Sequence, residues 1–171
     1  MPIAGFSWQF ACQSVLLIRF WSGIIGNTDM KIVIDTNIVV SAFRSRLGAA
    51  FRVVELWGDK RVQPIVSVPL VLEYESVLLR HAAEFGLTAR DVGDVLDYLC
   101  AIARHQAIYY LWRPVLRDPG DDLVLEVAVA GGANCIVTHN LKDFGKAADF
   151  GIRALGPAEF LRMIGEKHEH D

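Results

Sequence analysis

The sequence predicts an α/β fold, in which helices cover both faces of a mostly parallel sheet of about five strands. Short apolar runs alternate with stretches of helical periodicity along the 171-residue chain, a pattern typical of parallel strands joined by helices. Apolar residues make up 53% of the sequence and the mean hydropathy is +0.31, as expected for strands buried on both faces. The length is sufficient for one domain with its own core.

Composition divides the chain into an apolar N-terminal segment, a domain and a short tail. Residues 1–29 are rich in large apolar side chains, and their first positive charge, Arg19, follows most of them. This order argues against a signal peptide, and no apolar run reaches the length of about 18 residues that a membrane span needs. We interpret 1–29 as a non-domain extension, with a mis-assigned start upstream of Met30 preferred over an apolar interaction segment. The domain is then 30–164, and 165–171 is a polar tail.

Charge and cysteine content narrow the class of protein. The formal net charge of −3 gives no global basic field, so a nucleic acid would have to bind a local patch. Cys12, Cys100 and Cys135 are far apart and odd in number, which favours a reducing compartment over a disulfide framework or zinc site. We therefore expect a cytoplasmic protein that does not enter a membrane.

The first half of the domain begins with a strand that ends on a carboxylate. Residues 32–34 form a β-branched run that leads directly into Asp35. Helices are predicted over 38–43 and 49–57. Val62–Val66 reads as a second strand, which Pro64 places near a sheet edge because proline has no N–H to donate.

The second half alternates helices and strands. Ser67 precedes a helix over 68–84, and Thr88 with Asp91 forms a capping-box-like start to the next helix. That helix has apolar residues at helical spacing, namely Val92, Val95, Leu96, Leu99 and Ala103. The remaining predictions are a strand at 107–111, a loop at 112–120, a helix from Asp121 to Gly131, strands at 134–137 and 151–155, and a last helix at 158–164.

Acidic and amide side chains follow the predicted strands at one rim of the sheet. Asp35 and Asn140 each come just after a strand, and Asp121 and Asp122 begin a helix reached from a strand. Parallel strands direct their carboxyl ends to the same rim, where open α/β sheets place their chemistry. An acidic cluster of this kind repels itself unless a cation neutralises it, and oxygen ligands favour Mg²⁺ or Mn²⁺ over zinc.

A further carboxylate is expected from the helix that follows the second strand. Glu73 and Glu75 both lie in its first turns, about 200° apart around the helix axis, so they cannot both face the rim. Both have apolar neighbours at i±3 and i±4, and helical periodicity does not choose between them.

Four motifs in residues 30–160 resemble those of the PIN-domain family of metal-dependent ribonucleases. Ile34-Asp35-Thr36-Asn37 is similar to its opening motif, and the segment Glu73 to Leu78 to its second, with Glu73 in the catalytic position. The segment Asp118 to Asp122 resembles the third, and the spacing from Asp122 to Thr138 favours Asp122 as its acid. The segment Val137 to Asn140 resembles the fourth, in which many members have Asp instead of Asn140; Asp143 follows three residues later.

The resemblance implies a PIN-like three-layer α/β/α domain that acts as an endoribonuclease with Mg²⁺ or Mn²⁺. It implies that Asp35, Glu73 and Asp122 hold the metal and that Asn140 completes the catalytic site. Residues expected to orient these groups or the substrate are Thr36, Asn37, Asp118, Asp121 and Thr138. Candidate RNA contacts are Arg44, Arg46 and Lys142.

The similarity is strongest to VapC-type toxins of toxin–antitoxin pairs, which implies three partners. These are an RNA substrate, cleaved by metal-activated water, a cognate antitoxin and a second copy of the chain. One alternative is a catalytically weak PIN-fold binding module, for which Asn140 leaves room. Another is a phosphoaspartyl-type phosphohydrolase, which would need a second Asp where the chain has Asn37.

Overall fold

The fold is built around a five-stranded sheet with every strand parallel to its neighbours. A computed structural model describes residues 30–109 and 115–165. The strands are β1 (Met30–Ile34), β2 (Val62–Val66), β3 (Arg104–His105), β4 (Cys135–Val137) and β5 (Arg153–Leu155). Their order is β3-β2-β1-β4-β5.

Helices flank this sheet and complete the predicted α/β/α architecture, which is confirmed. They are α1 (Thr36–Arg44), α2 (Ala49–Glu55), α3 (Val68–Phe85), α4 (Ala89–Ile102), α5 (Pro119–Gly131) and α6 (Pro157–Met163). A 3-10 helix covers Gly145–Phe150. None of the helices in residues 30–109 and 115–165 is long and apolar enough to cross a membrane.

The central position of β1 places Asp35 at the point where the chain connectivity reverses. From β1 the chain moves to β2 on one side, and it later returns through α5 to β4 on the other side. Ile32 and Ile34 pair with Cys135 and Val137 of β4. A crevice outside the carboxyl ends of such strands is the usual ligand position in open α/β sheets.

Local sequence signals set several helix ends as predicted. The Ser67 side chain accepts a hydrogen bond from the Leu70 N–H at the start of α3. Thr88 and Asp91 form a complete capping box at the start of α4. Gly86 ends α3 with φ of 68°, a left-handed conformation that glycine adopts without a Cβ penalty.

The edge strand β3 was predicted in the wrong place. The prediction put a strand at 107–111, but the strand is Arg104–His105, and 107–109 form no regular structure. Both β3 residues are exposed, so no apolar pattern marks them. Because β3 pairs only with Ile65 and Val66, Pro64 lies before the segment of β2 that β3 covers. The prediction for 110–111 lies outside the described residues, as do the extension 1–29 and residues 166–171 of the tail.

Helix α5 begins two residues earlier than predicted. Asp118 is its N-cap and accepts a hydrogen bond from the Gly120 N–H at 2.7 Å. Pro119 then occupies the first helical position, where its fixed φ suits the helix and its missing N–H is not needed. Asp121 and Asp122 therefore lie in the first turn and not at the helix boundary.

Candidate active site

An open pocket of about 450 Å³ lies at the carboxyl ends of β1 and β4. Its lining is dominated by acidic and amide side chains: Asp35, Thr36, Asn37, Glu73, Arg117, Asp118, Gly120, Asp121, Asn140 and Asp143. The structure thus brings Asp35, Glu73 and Asn140 of the predicted catalytic set to one place.

Asp35 is the most enclosed acid of the pocket, with 5% of its surface exposed. Its Oδ2 accepts hydrogen bonds from Asn37 Nδ2 and from Thr138 Oγ1, each at 2.6 Å. Burial raises the pKa of Asp35, and the Thr138 hydrogen bond opposes that rise. The carboxylate is therefore held in one orientation at a site where its charge is poorly solvated.

Thr138 and Asn37 form a small network that joins the ends of β1 and β4. The Thr138 hydroxyl oxygen also accepts a hydrogen bond from the Asn140 N–H at 2.9 Å. Asn37 Oδ1 accepts one from the His139 N–H at 3.2 Å. Because both side chains contact Asp35 and the turn after β4, they fix the acid relative to Asn140.

Helix α3 carries the two glutamates between which helical periodicity does not choose. Both are exposed, and Glu73 lines the pocket whereas Glu75 does not. Tyr74 between them is buried, and its hydroxyl donates to the Ile34 carbonyl, one residue before Asp35. Burial raises the pKa of Tyr74 well above its ordinary value, so the hydroxyl stays a donor. Sequence reasoning missed Tyr74, because a tyrosine on a helix does not indicate its partner.

The third acid in the pocket differs from the one predicted. Asp122 was expected to hold the metal, but it is buried and its Oδ1 accepts the Val115 and Leu116 N–H groups at 3.2 and 2.8 Å. Asp121, expected only to orient other groups, lines the pocket instead. Partial burial, followed by the charges of Asp35 and its acidic neighbours, raises the pKa of Asp121 to about 6.

A further carboxylate comes from Asp143, which was not among the predicted site residues. The turn after β4, closed by a hydrogen bond from the Asp143 N–H to the Asn140 carbonyl at 3.0 Å, brings both side chains to the pocket. Asp143 also contributes to the raised pKa of Asp121. The Asn at position 140 therefore does not leave this side of the pocket without an acid, and the Asn-x-x-Asp spacing is the signal that could have shown it.

The basic residues predicted to contact RNA do not line this pocket. Arg44 and Arg46 line a different cavity at the far end of α1, where Arg44 Nε pairs with Glu84 Oε1 at 3.0 Å. Lys142 is exposed on the turn after β4 and does not line the pocket. Arg117 is the basic residue that does line it among the described residues, and sequence reasoning passed over it because it lies in a predicted loop.

The donor set of the pocket fits a hard divalent cation. Five carboxylates and two amides line one space. Burial, and after it the negative charges of neighbouring acids, raises the pKa of Asp121. Oxygen donors without histidine or cysteine suit Mg²⁺ or Mn²⁺. The pocket thus has donors of a suitable type but no formed metal shell, because within residues 30–109 and 115–165 no group of three or more His, Cys, Asp or Glu side chains is placed to hold a metal ion.

Comparison with known proteins shows the family. A family model described as PIN domain matches residues 31–142, well over half of the chain, so the chain belongs to the PIN-domain family. PIN domains are generally metal-dependent nucleases. This confirms the family predicted from the four motifs.

A solved structure shows the same fold. The chain is similar to a PilT N-terminus domain protein from the hyperthermophilic archaeon Sulfolobus solfataricus P2, with 17% sequence identity and a TM-score of 0.50. The match covers 83% of this chain and 99% of that one. At this identity the likeness concerns the fold alone. No curated protein matches the chain.

Proposed function

We propose that the protein is a metal-dependent endoribonuclease that hydrolyses RNA phosphodiester bonds. The observation that carries this proposal is that five carboxylates line one pocket at the carboxyl ends of β1 and β4, namely Asp35, Glu73, Asp118, Asp121 and Asp143. Like charges cost stability when they face each other, so a group of them without paired cations supports a cation-binding role.

Asp35, Glu73, Asp121 and Asp143 are the proposed ligands of Mg²⁺ or Mn²⁺, with Asp121 in the role first given to Asp122, while Asp118 caps α5. When bound, such an ion lowers the pKa of water and offsets the negative charge of a phosphodiester during displacement. Asp122 is less suited to this role, because it is buried, does not line the pocket and holds two backbone N–H groups through Oδ1.

The other residues of the pocket orient the acids. Thr138 and Asn37 both donate to Asp35 Oδ2, which leaves Oδ1 without a side-chain donor in the described part of the chain. Partners of this kind fix the direction in which a carboxylate presents its free oxygen. Asn140 lines the pocket beside them and adds an amide that can hold water or a phosphate oxygen.

The phosphohydrolase alternative has less support. A covalent phosphoaspartyl mechanism needs an acid beside the nucleophile to protonate the leaving group. Here Asn37 occupies that position, and its Nδ2 donates to Asp35 Oδ2 at 2.6 Å. An amide in this place orients Asp35 but has no proton to give at neutral pH.

The test is cleavage of end-labelled single-stranded and hairpin RNAs with EDTA, Mg²⁺ or Mn²⁺. We expect cleavage that requires the metal and falls at least about 100-fold in Asp35→Asn, because a ligand to the ion is lost. Asp149→Asn, an exposed acid outside the pocket, is the matched control and should cleave like the wild type. RNA that is bound but never cut with either metal would favour the catalytically weak binding module.

The toxin role, in a cytoplasmic protein, is part of the same proposal. The acidic pocket suits an arginine-bearing segment of an antitoxin, because guanidinium and carboxylate groups form strong paired hydrogen bonds. Growth arrest on expression, relieved by a co-expressed partner that co-purifies, is the expected result. Absence of both would remove the toxin role and leave the nuclease chemistry untouched.

Homodimerisation is proposed through an exposed apolar stripe on α3. Val68, Leu72 and Leu79 share that helix and are 72%, 57% and 43% exposed. Light scattering should report a dimer for the wild type, and Leu72→Lys should shift it towards the monomer. A monomeric wild type would contradict the proposal.

A further inference from the structure

In the described part of the chain, one basic side chain, that of Arg117, lines the acidic pocket without forming an ion pair with its acids. Arg117 is exposed and lines the pocket with Asp35, Glu73, Asp121 and Asp143. Among the described residues it forms no ion pair with any of them. Arg117 therefore does not serve as the internal counter-ion of the acids.

The backbone on both sides of Arg117 is held in place. Asp122 Oδ1 accepts the N–H groups of Val115 and Leu116, just before it. Lys146 Nζ donates to the Val115 carbonyl at 2.9 Å and ties this segment to the 3-10 helix. Asp118, just after Arg117, is the N-cap of α5. The backbone around Arg117 is thus fixed, while its exposed side chain has no ion-pair partner among the described residues and is able to bind a ligand.

The chemistry of the substrate class indicates what that ligand is. An RNA backbone is anionic, and a pocket lined by carboxylates repels it unless a positive group lies at the rim. A guanidinium presents a planar fork of donors that matches a phosphate. The other basic candidates are less suitable, because Arg44 and Arg46 line another cavity and Lys142 lies outside the pocket.

We propose that Arg117 binds a phosphate of the RNA beside the acidic pocket, and that the buried Asp122 is a positioning residue that holds the Arg117 segment. This rests on the proposed nuclease function, which it deepens by naming the residue that recognises the substrate backbone. It also gives Asp122 a role that fits its burial and its two backbone hydrogen bonds.

The experiment measures binding apart from cleavage. A fluorescent single-stranded RNA is titrated, without divalent metal, against Asp35→Asn and against the same protein carrying Arg117→Ala, Arg117→Lys or Arg90→Ala. Arg90 is an exposed arginine of α4 outside the pocket and serves as the matched control. The titrations are repeated over a range of salt concentrations.

We expect Arg117→Ala to weaken RNA binding about tenfold and to reduce the slope of log K against log salt by about 0.7, the loss of one phosphate contact on a single strand. Arg117→Lys should recover part of the affinity, because it keeps the charge but not the fork. Arg90→Ala should behave like its parent. Equal affinity and slope in the Arg117→Ala and Arg90→Ala proteins would overturn the proposal.

The role of Asp122 is tested by a double-mutant cycle. Asp122→Ala should weaken RNA binding, and it should add little to the loss already caused by Arg117→Ala, since both changes remove the same contact. Fully additive losses, or an unchanged affinity in Asp122→Ala, would contradict positioning. If Asp122→Ala does not fold, the Arg117 variants decide the main proposal alone.

The two proposals fail in different ways. With Asp35 restored, Arg117→Ala should raise KM for RNA cleavage at least about fivefold, with a smaller change in kcat, because the contact is made before the chemical step. If the wild type binds RNA through Arg117 but never cleaves it, the nuclease function fails and the phosphate contact stands. If the wild type cleaves RNA and Arg117→Ala changes neither Kd nor KM, only the inference about Arg117 fails.

Discussion

The N-terminal ends and the C-terminal ends of α1 and α3 lie beside two different cavities, and the charged side chains in those cavities are arranged differently. At their N-terminal ends, Thr36 and Glu73 face the acidic pocket. At their C-terminal ends, Phe43 and Phe85 stack at 6.3 Å in a cavity of about 380 Å³. Because nine residues of helix rise about 13 Å, the two cavities lie on well separated parts of one scaffold.

At the C-terminal ends of α1 and α3, Glu84 is paired with Arg44 and His81. Glu84 lies 3.0 Å from Arg44 Nε and 2.9 Å from His81 Nδ1, and these two hydrogen bonds, His81 first, lower the pKa of Glu84. At the acidic end the pKa of Asp121 moves the other way, to about 6, through partial burial and like charges. The difference teaches that Glu84 has cationic partners within the chain, whereas the acids of the pocket form no ion pair among the described residues.

The largest expected effect is a difference in RNA cleavage rate between variants of two glutamates in α3, Glu73 and Glu75. Glu73→Gln should lower RNA cleavage about 100-fold, about 2.7 kcal/mol in barrier, because it removes a proposed metal ligand. Glu75→Gln, two residues away and outside the pocket, should stay within about twofold. Rates measured at saturating metal decide this, and equal losses in both variants would break the distinction between pocket and surface.

The next effect concerns stability at Asp122. Asp122→Ala leaves two backbone N–H groups, those of Val115 and Leu116, without their acceptor. We expect the free energy of unfolding to fall by about 2 kcal/mol, which lowers Tm by about 6 °C for a chain of this size. Urea denaturation in EDTA measures it. An unchanged midpoint would show that Asp122 does not hold this segment.

Replacing Asp121 should raise the free energy of unfolding, whereas replacing Asp122 should lower it. Its folded pKa of about 6 exceeds its ordinary 3.8, so its contribution to stability is fully present below pH 3.8 and is lost as pH rises through 6. Asp121→Asn has no carboxyl to ionise, so it should not lose this stability as pH rises. After discounting for its exposure, we expect a gain of about 1 kcal/mol at pH 7 in EDTA and none below pH 4. Unfolding curves at both pH values test the sign, and a loss of stability at pH 7 would contradict it.

The smallest effect belongs to the apolar end. Glu84→Gln breaks exposed contacts with Arg44 and His81, and exposed pairs contribute little because water screens them. We expect Tm and the RNA cleavage rate to stay within measurement error. A clear drop in cleavage would mean that the two ends of the helices are coupled.

Structural features that depend on residues close together in the chain could be predicted from the sequence. The β-branched run before Asp35 identified β1, and Ser67 and Thr88 with Asp91 marked helix starts, because each depends on contacts within a few residues. The family motifs then gave the fold, which the sheet order confirms.

Choices that depend on tertiary packing could not be predicted in this way. Asp121 and Asp122 are about 100° apart on α5, and which one faces the pocket depends on where Val115 and Leu116 pack. Asp143 reaches the pocket only because a turn brings it there. Arg117 carries no pattern, since an arginine in a loop is identified only by what surrounds it.

The hydrogen bond from the Tyr74 hydroxyl to the Ile34 carbonyl has a consequence for dynamics. It joins the helix that carries Glu73 to the strand that carries Asp35, through a ring with 1% exposure. Separating the two acids would therefore require Tyr74 to leave the core. The Asp35 amide, bonded to the Val137 carbonyl at 2.9 Å, should exchange with deuterium only through global unfolding. We therefore expect the carboxyl ends of β1 and β4, which carry the acids, to open as slowly as the core beneath them.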